Sequence, residues 1–179
     1  MAEIKSSIEL AMEKTKDLHL SREEMKKLKE EEMKSKAHSL VNRFLEVDFH
    51  LKEAEKELLK FTPDERKQLE KLMRQYLSEA IQLDRDNDLI FQGIETFREE
   101  SKPLIRQIQQ LIKKYREQKE KAYEETEKNL LANWQKQGIS GSAVQAKVEG
   151  SPEWEKALSR FKPAFEEQLR VLQEELKKQ

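Results

Sequence analysis

Met33, Ala37, Leu40, Phe44, Val47, Leu51, Ala54, Leu58 and Phe61 recur at alternating intervals of four and three residues, and Leu69, Met73, Tyr76, Ala80, Leu83, Asn87, Ile90, Ile94 and Phe97 repeat the pattern. Such spacing holds an apolar seam on one side of a helix and turns it toward a neighbouring helix. Val41, Leu45, Phe49 and Leu59 widen the first seam, as in a helix that touches two neighbours in a bundle. Strands would need apolar residues at every second position, and only Ala143 to Val148 could be briefly extended.

The composition agrees. Hydrophobic residues are 36% and charged residues 40%, against roughly 45–50% and about 25% in an ordinary soluble domain. The apolar surface must therefore lie in narrow stripes. With only four Gly and four Pro in 179 residues, regular structure must run for long distances.

The chain marks its own breaks. Ser21, Glu24 and the pair Leu20 and Met25 form a capping box with a hydrophobic staple, which predicts a helix from Arg22. Thr62, Pro63 and Glu65 stop one helix and start the next, and so short a connection makes the two antiparallel neighbours. Pro103 predicts a break or kink near 101–103, and Pro163 a division of the last helix. A looser stripe from Leu104 to Trp134 gives a further helix. Its polar stretch from Gln118 to Lys128 is expected to face solvent or a partner outside the chain.

The expected fold is all-α: an elongated helical bundle built on a long, coiled-coil-like antiparallel hairpin of helices 22–61 and 63–100, packed with helix 103–137. A helix of about 38 residues spans roughly 57 Å, which suggests that a second copy or another protein covers part of a seam. As a single domain over 1–179, the chain divides into an amphipathic helix at 1–18, the long-helix bundle at 22–137, a loop at 138–150 and a C-terminal helix at 151–179. The first of these carries Ile4, Ile8, Ala11 and Met12 on one face with balanced charges, which suits a protein groove better than a membrane surface.

Charge narrows the function. Thirty-five Lys and Arg against 36 Asp and Glu leave a net charge of -1, so no global field draws the chain to nucleic acid. The basic runs at Lys26, Lys27 and Lys29 and at Lys113, Lys114, Arg116, Lys119 and Lys121 alternate with acids, as on an ion-paired solvated face. The absence of cysteine excludes disulfides and thiolate chemistry and fits a reducing compartment. With no secretory pattern and no apolar run of about 20 residues, the expected setting is the cytoplasm.

The sharpest motif is "DRDNDLIFQGIE", which sets Asp84, Asp86, Asp88 and Glu95 at the ligand spacing of a calcium loop. Leu89 stands where the turn needs glycine, and the seam through Leu83, Asn87, Ile90 and Ile94 reads instead as a continuing helix with Asn87 fixing its register. His19, His38 and His50 are too scattered for a zinc or di-iron pattern.

The loop "GISGSAVQAKVEGSPEW" holds three of the four glycines, yet it is neither a nucleophile elbow nor a P-loop. Gly138 and Ile139 read as a helix stop of the Schellman type, and Ser151 and Pro152 as a helix start. Ser140, Gly141, Ser142, Ala143 and Val144 are left as a candidate interaction loop. "GISGSAV" and "SPEW", with the opening "MAEIKSSIELAMEKT", resemble a family of small bacterial proteins. That resemblance covers the two ends of the chain and implies a bacterial cytoplasmic setting, with no activity, cofactor or functional residue attached.

The function expected from the sequence is a non-enzymatic interaction or scaffold protein without a cofactor. Its partner would be a second copy or another protein, with neither membrane nor nucleic acid. The alternatives are a calcium- or other metal-responsive regulator using 84–95 and a helical nucleic-acid binder.

Overall fold

A computed structural model describes residues 22–46, 51–141 and 143–178. The expected helix at 1–18, the Ser21 cap, His19, His50 and Ser142 lie outside the described residues. Within them the chain is helical and contains no strand. Seven α-helices follow in order: α1 Arg22–Leu45, α2 Leu51–Leu58, α3 Pro63–Glu79, α4 Asp88–Phe97, α5 Lys102–Lys136, α6 Pro152–Ser159 and α7 Lys162–Lys178, with a 3₁₀ turn at Glu99–Ser101 before α5.

Both arms of the expected hairpin are interrupted. The first leaves the helix at Glu46, so α2 is a separate short helix folded back along α1: Lys36 of α1 lies 5.5 Å over the ring of Phe61, which follows α2. Thr62 then starts α3 with the expected capping box, its backbone N–H donating to Glu65 Oε2 at 3.1 Å. After two reversals α3 runs in the same sense as α1. Early in both helices Lys29 and Lys36 act on Glu65, while late in both Phe44 and Leu77 meet at Gly93. The long antiparallel hairpin expected across Thr62 is therefore not formed, and the helices that pack together, α1 and α3, are parallel.

The second arm breaks between Ala80 and Asn87, where the seam was read as continuous. Asn87 does not fix a helix register. Its Nδ2 donates to the carbonyls of Gln82 at 2.8 Å and Arg85 at 3.0 Å, and its Oδ1 accepts from the Gln82 N–H at 3.0 Å. One buried amide thus closes a turn by taking the place of lost helix hydrogen bonds. Asp86 Oδ1 accepts from the Asp88 N–H at 3.0 Å and completes the entry into α4.

Helix α4 is short and apolar, and its Gly93 admits the neighbouring helices. A Cβ there would lie 2.7 Å from Phe44 Cε1 and 3.0 Å from Leu77 Cδ1. The main core gathers around this point. Met33, Ala37, Leu40 and Phe44 of α1 meet Leu69, Met73 and Leu77 of α3, Ile90 and Ile94 of α4 and the buried face of α5.

The described chain does contain an antiparallel pair, made by α5 with the chain that returns through α6 and α7. Tyr123 meets Trp154 at 5.7 Å between ring centroids, and Tyr115 meets Phe165 at 5.5 Å. Arg98 at φ −159° and ψ 105° turns the chain into α5, with Pro103 in the helix's first turn, and the expected division at Pro163 falls between Ser159 and Lys162. Helix α7 is pinned to the end of α3. Gln173 Nε2 donates to the Ser78 carbonyl at 2.8 Å and the Ile81 carbonyl at 3.0 Å, and Lys177 pairs with Glu79 at 3.0 Å. Carbonyls left open at a helix end are satisfied here by a distant side chain.

Two substitutions test these joints by urea unfolding. Asn87→Asp replaces a two-bond donor with an acceptor facing two carbonyls and should cost about 2 kcal/mol or more at neutral pH. That deficit relative to the parent should shrink as acid restores a donor proton to the new carboxyl. Gly93→Val should destabilise by about 1–3 kcal/mol through overpacking against Phe44 and Leu77; an unchanged unfolding midpoint would contradict the close approach.

Candidate functional site

Helix α5 has two flanks that differ in how their charges are paired. One faces the turn 81–87 and the start of α7. There Tyr115, buried between Phe161 and Phe165, donates its hydroxyl to Asp84 Oδ2 at 3.0 Å. The same carboxylate takes Lys119 Nζ at 2.6 Å and Lys162 Nζ at 3.2 Å. Arg116 Nη2 donates to the Arg85 carbonyl at 3.0 Å. Partial burial pushes the Asp84 carboxyl up, and the hydrogen bonds from Lys119, Tyr115 and Lys162 outweigh it, holding the group below its ordinary value. Burial first, and then the bond to the Asp84 carboxylate, push the Tyr115 hydroxyl up, so it stays a donor.

The acidic stretch is thus divided among structural tasks. Asp84 ties three segments together, Asp86 shapes the turn, Asp88 opens α4, and Glu95 lies further along α4. The structure does not bring these four carboxylates together around one point. Among the described residues no group of three or more His, Cys, Asp and Glu side chains is placed to hold a metal ion. His38 lies on the outer side of α1, bonded to Asn42 at 3.1 Å and edge-on to Tyr76.

The other flank of α5 looks onto α6 and the start of α7 across an open groove of about 830 Å³. The polar stretch expected to face solvent or an outside partner has a neighbour in its own chain: Thr126 is buried, and Ala122 and Tyr123 are half-buried. The groove floor is made by Ala122, Ala157, Phe161 and Phe165. Lysine, arginine and glutamate side chains stand along both walls.

The glycine loop joins α5 to α6. Gly138 N–H donates to the Gln135 carbonyl and Ile139 N–H to the Trp134 carbonyl, each at 3.0 Å, which is the Schellman stop that the sequence indicates. Gly138 takes φ 81°, where a side chain would be strained. Ser151 accepts from the Trp154 N–H at 3.2 Å and starts α6 as expected.

Between stop and start the loop has two halves. Ser140, Gly141 and Ala143 are exposed and Val144 is half-buried. Ala146 and Val148 turn inward to a small second core with Leu130 and Trp154, leaving Val148 only 1% exposed. The length of the connection follows from this anchor, since a bare turn would place no residue under Trp154. Sequence reasoning missed both the anchor and the Asp84 clamp. The alternation of Ala146 and Val148 was the one signal for the anchor, and nothing local could join Asp84 to Lys162.

The clamp predicts a pH effect. With the Asp84 carboxyl depressed in the folded state, its stabilisation is present above its ordinary value of 3.8 and is lost as pH falls through the lower folded value. Asp84→Asn should therefore destabilise at neutral pH, with the difference from the parent fading below about pH 4 in acid unfolding followed by circular dichroism. Its side chain is 40% exposed, so the effect should also weaken with added salt.

Comparison of the chain with protein-family models, with curated proteins and with solved structures finds no match, so functional inference rests on the residues themselves.

Proposed function

We propose that the chain is a non-enzymatic protein–protein interaction or scaffold protein. The observation that carries this reading is the groove between α5 and α6, with an apolar floor and walls of charged side chains standing opposite one another. A concave strip that joins apolar floor to ionic rim suits a helix of another chain better than a small molecule. The exposed Met25 and Leu28 of α1 add a second apolar feature facing outward.

The elongated, coiled-coil-like packing suggested by the seam spacing belongs to this reading, as does self-association as a homodimer. So does the bacterial cytoplasmic setting implied by the resemblance at the two ends of the chain. Among the described residues no helix is long and apolar enough to cross a membrane. The groove walls interleave acids with bases, which supports a protein partner over a polyanion.

Light scattering on the full chain, followed by cross-linking mass spectrometry, tests the proposal. The expected result is a species heavier than the 21.3 kDa monomer, or a stoichiometric complex with a partner. Cross-links should concentrate on Lys114, Lys121 and Lys156 along the groove. A monomer that forms no complex at any salt concentration would contradict it.

A further inference from the structure

Helices α5 and α6 run antiparallel, and two ring contacts fix their register: Tyr123 against Trp154 at 5.7 Å and, in the break just before α7, Tyr115 against Phe161 at 6.0 Å. This register sets Lys121 opposite Lys156 and, one turn further along α5, Glu125 opposite Glu153. All four line the groove and are exposed. None of them makes an ion pair or side-chain hydrogen bond among the described residues. The same register sets Glu117 opposite Arg160 at the end toward α7, so the groove carries one mixed rung, then a cationic rung and an anionic rung that are each of like sign across the gap.

Like charges facing each other do nothing to draw the walls together, and a bound group of the opposite sign relieves them. The floor between the rungs is Ala122 and Ala157, two small side chains that leave depth, with Phe161 and Phe165 at the end toward α7. On the opposite flank, the Asp84 carboxylate is saturated by Lys119, Lys162 and Tyr115. The contrast separates a closed contact from an open one.

We propose that the groove receives an amphipathic helix of another protein, carrying a carboxylate and a basic side chain one turn apart beside an apolar residue. The carboxylate lies between Lys121 and Lys156 and the base between Glu125 and Glu153, while the apolar residue descends on Ala122 and Ala157. This assignment rests on the interaction reading above and narrows it to one face and one partner chemistry.

Fluorescence anisotropy with the full chain tests it, using three labelled helical peptides of about fifteen residues that share one leucine stripe. One carries Glu and Lys one turn apart beside the stripe, one carries Glu at both positions, and one carries Lys at both. The mixed peptide should bind about tenfold more tightly than either other. Lys121→Glu combined with Lys156→Glu makes both rungs acidic and should move the preference to the all-Lys peptide. Glu125→Lys combined with Glu153→Lys should move it to the all-Glu peptide. Circular dichroism melts check that these exposed substitutions leave the fold intact.

Equal binding of the three peptides, no binding of any, or an order of preference unmoved by both double reversals would overturn the proposal. Dissociation of a dimer by the mixed peptide would reassign the groove to a second copy and overturn it too. A chain that assembles in light scattering yet ignores all three peptides would lose this assignment and keep the broader reading.

Discussion

The hydroxyl of Tyr115 and the carboxylate of Asp84 form the joint on which the arrangement of the helices turns. Tyr115 is fully buried in the middle of α5, against Phe161 and Phe165, and its only polar atom must find a partner there. The partner comes from a turn rather than a helix, and the same carboxylate holds lysines from α5 and α7. A continuous helix through residues 80–87 could not deliver Asp84 to this position. The break between α3 and α4, the docking of α7 and the burial of Tyr115 are thus one structural decision seen from three sides.

Helix termini were legible in the sequence and helix continuity was not. Thr62, Gly138 and Ser151 act through hydrogen bonds to residues within five positions, so their motifs contain both partners. The seam spacing reports which side of a helix is apolar, but it carries no term for whether the helix persists between repeats. In "LDRDND", four Asp and Asn side chains able to compete for backbone groups stand among six residues, a turn signal that the regular seam overrode. Asn87 has the same place in the pattern whether it fixes a register or closes a turn. Its bonds to Gln82 and Arg85 decide between them, and those depend on a chain reversal that the spacing does not encode.

The long-range contacts were illegible for a different reason. Lys162 reaches Asp84 across 78 positions, and Gln173 reaches the end of α3 across 95. Among 35 cations and 36 anions, composition offers almost any pairing, and only the path of the backbone selects one. The loop occupies an intermediate place: its ends were readable as stop and start, while its inward half became intelligible only with Trp154 and Leu130 placed around Val148.

The two flanks of α5 show how one helix can both build a core and leave a surface open. Residues 104 to 115 carry large aliphatic side chains and an aromatic that fill the space beneath α3, α4 and α7. From 117 onward the helix turns polar. The side toward Trp154 is closed by a small second core, while the side toward Lys156 meets alanine with alanine. Closing that gap would require either large apolar side chains at 122 and 157 or opposite charges at the flanking positions. The sequence places alanine at both positions, and of the flanking rungs only Glu117 with Arg160 is of opposite sign, while lysine stands against lysine at 121 and 156 and glutamate against glutamate at 125 and 153. At those two rungs the like signs give the walls no attraction for each other, and the contact stays open beside a core that is closed.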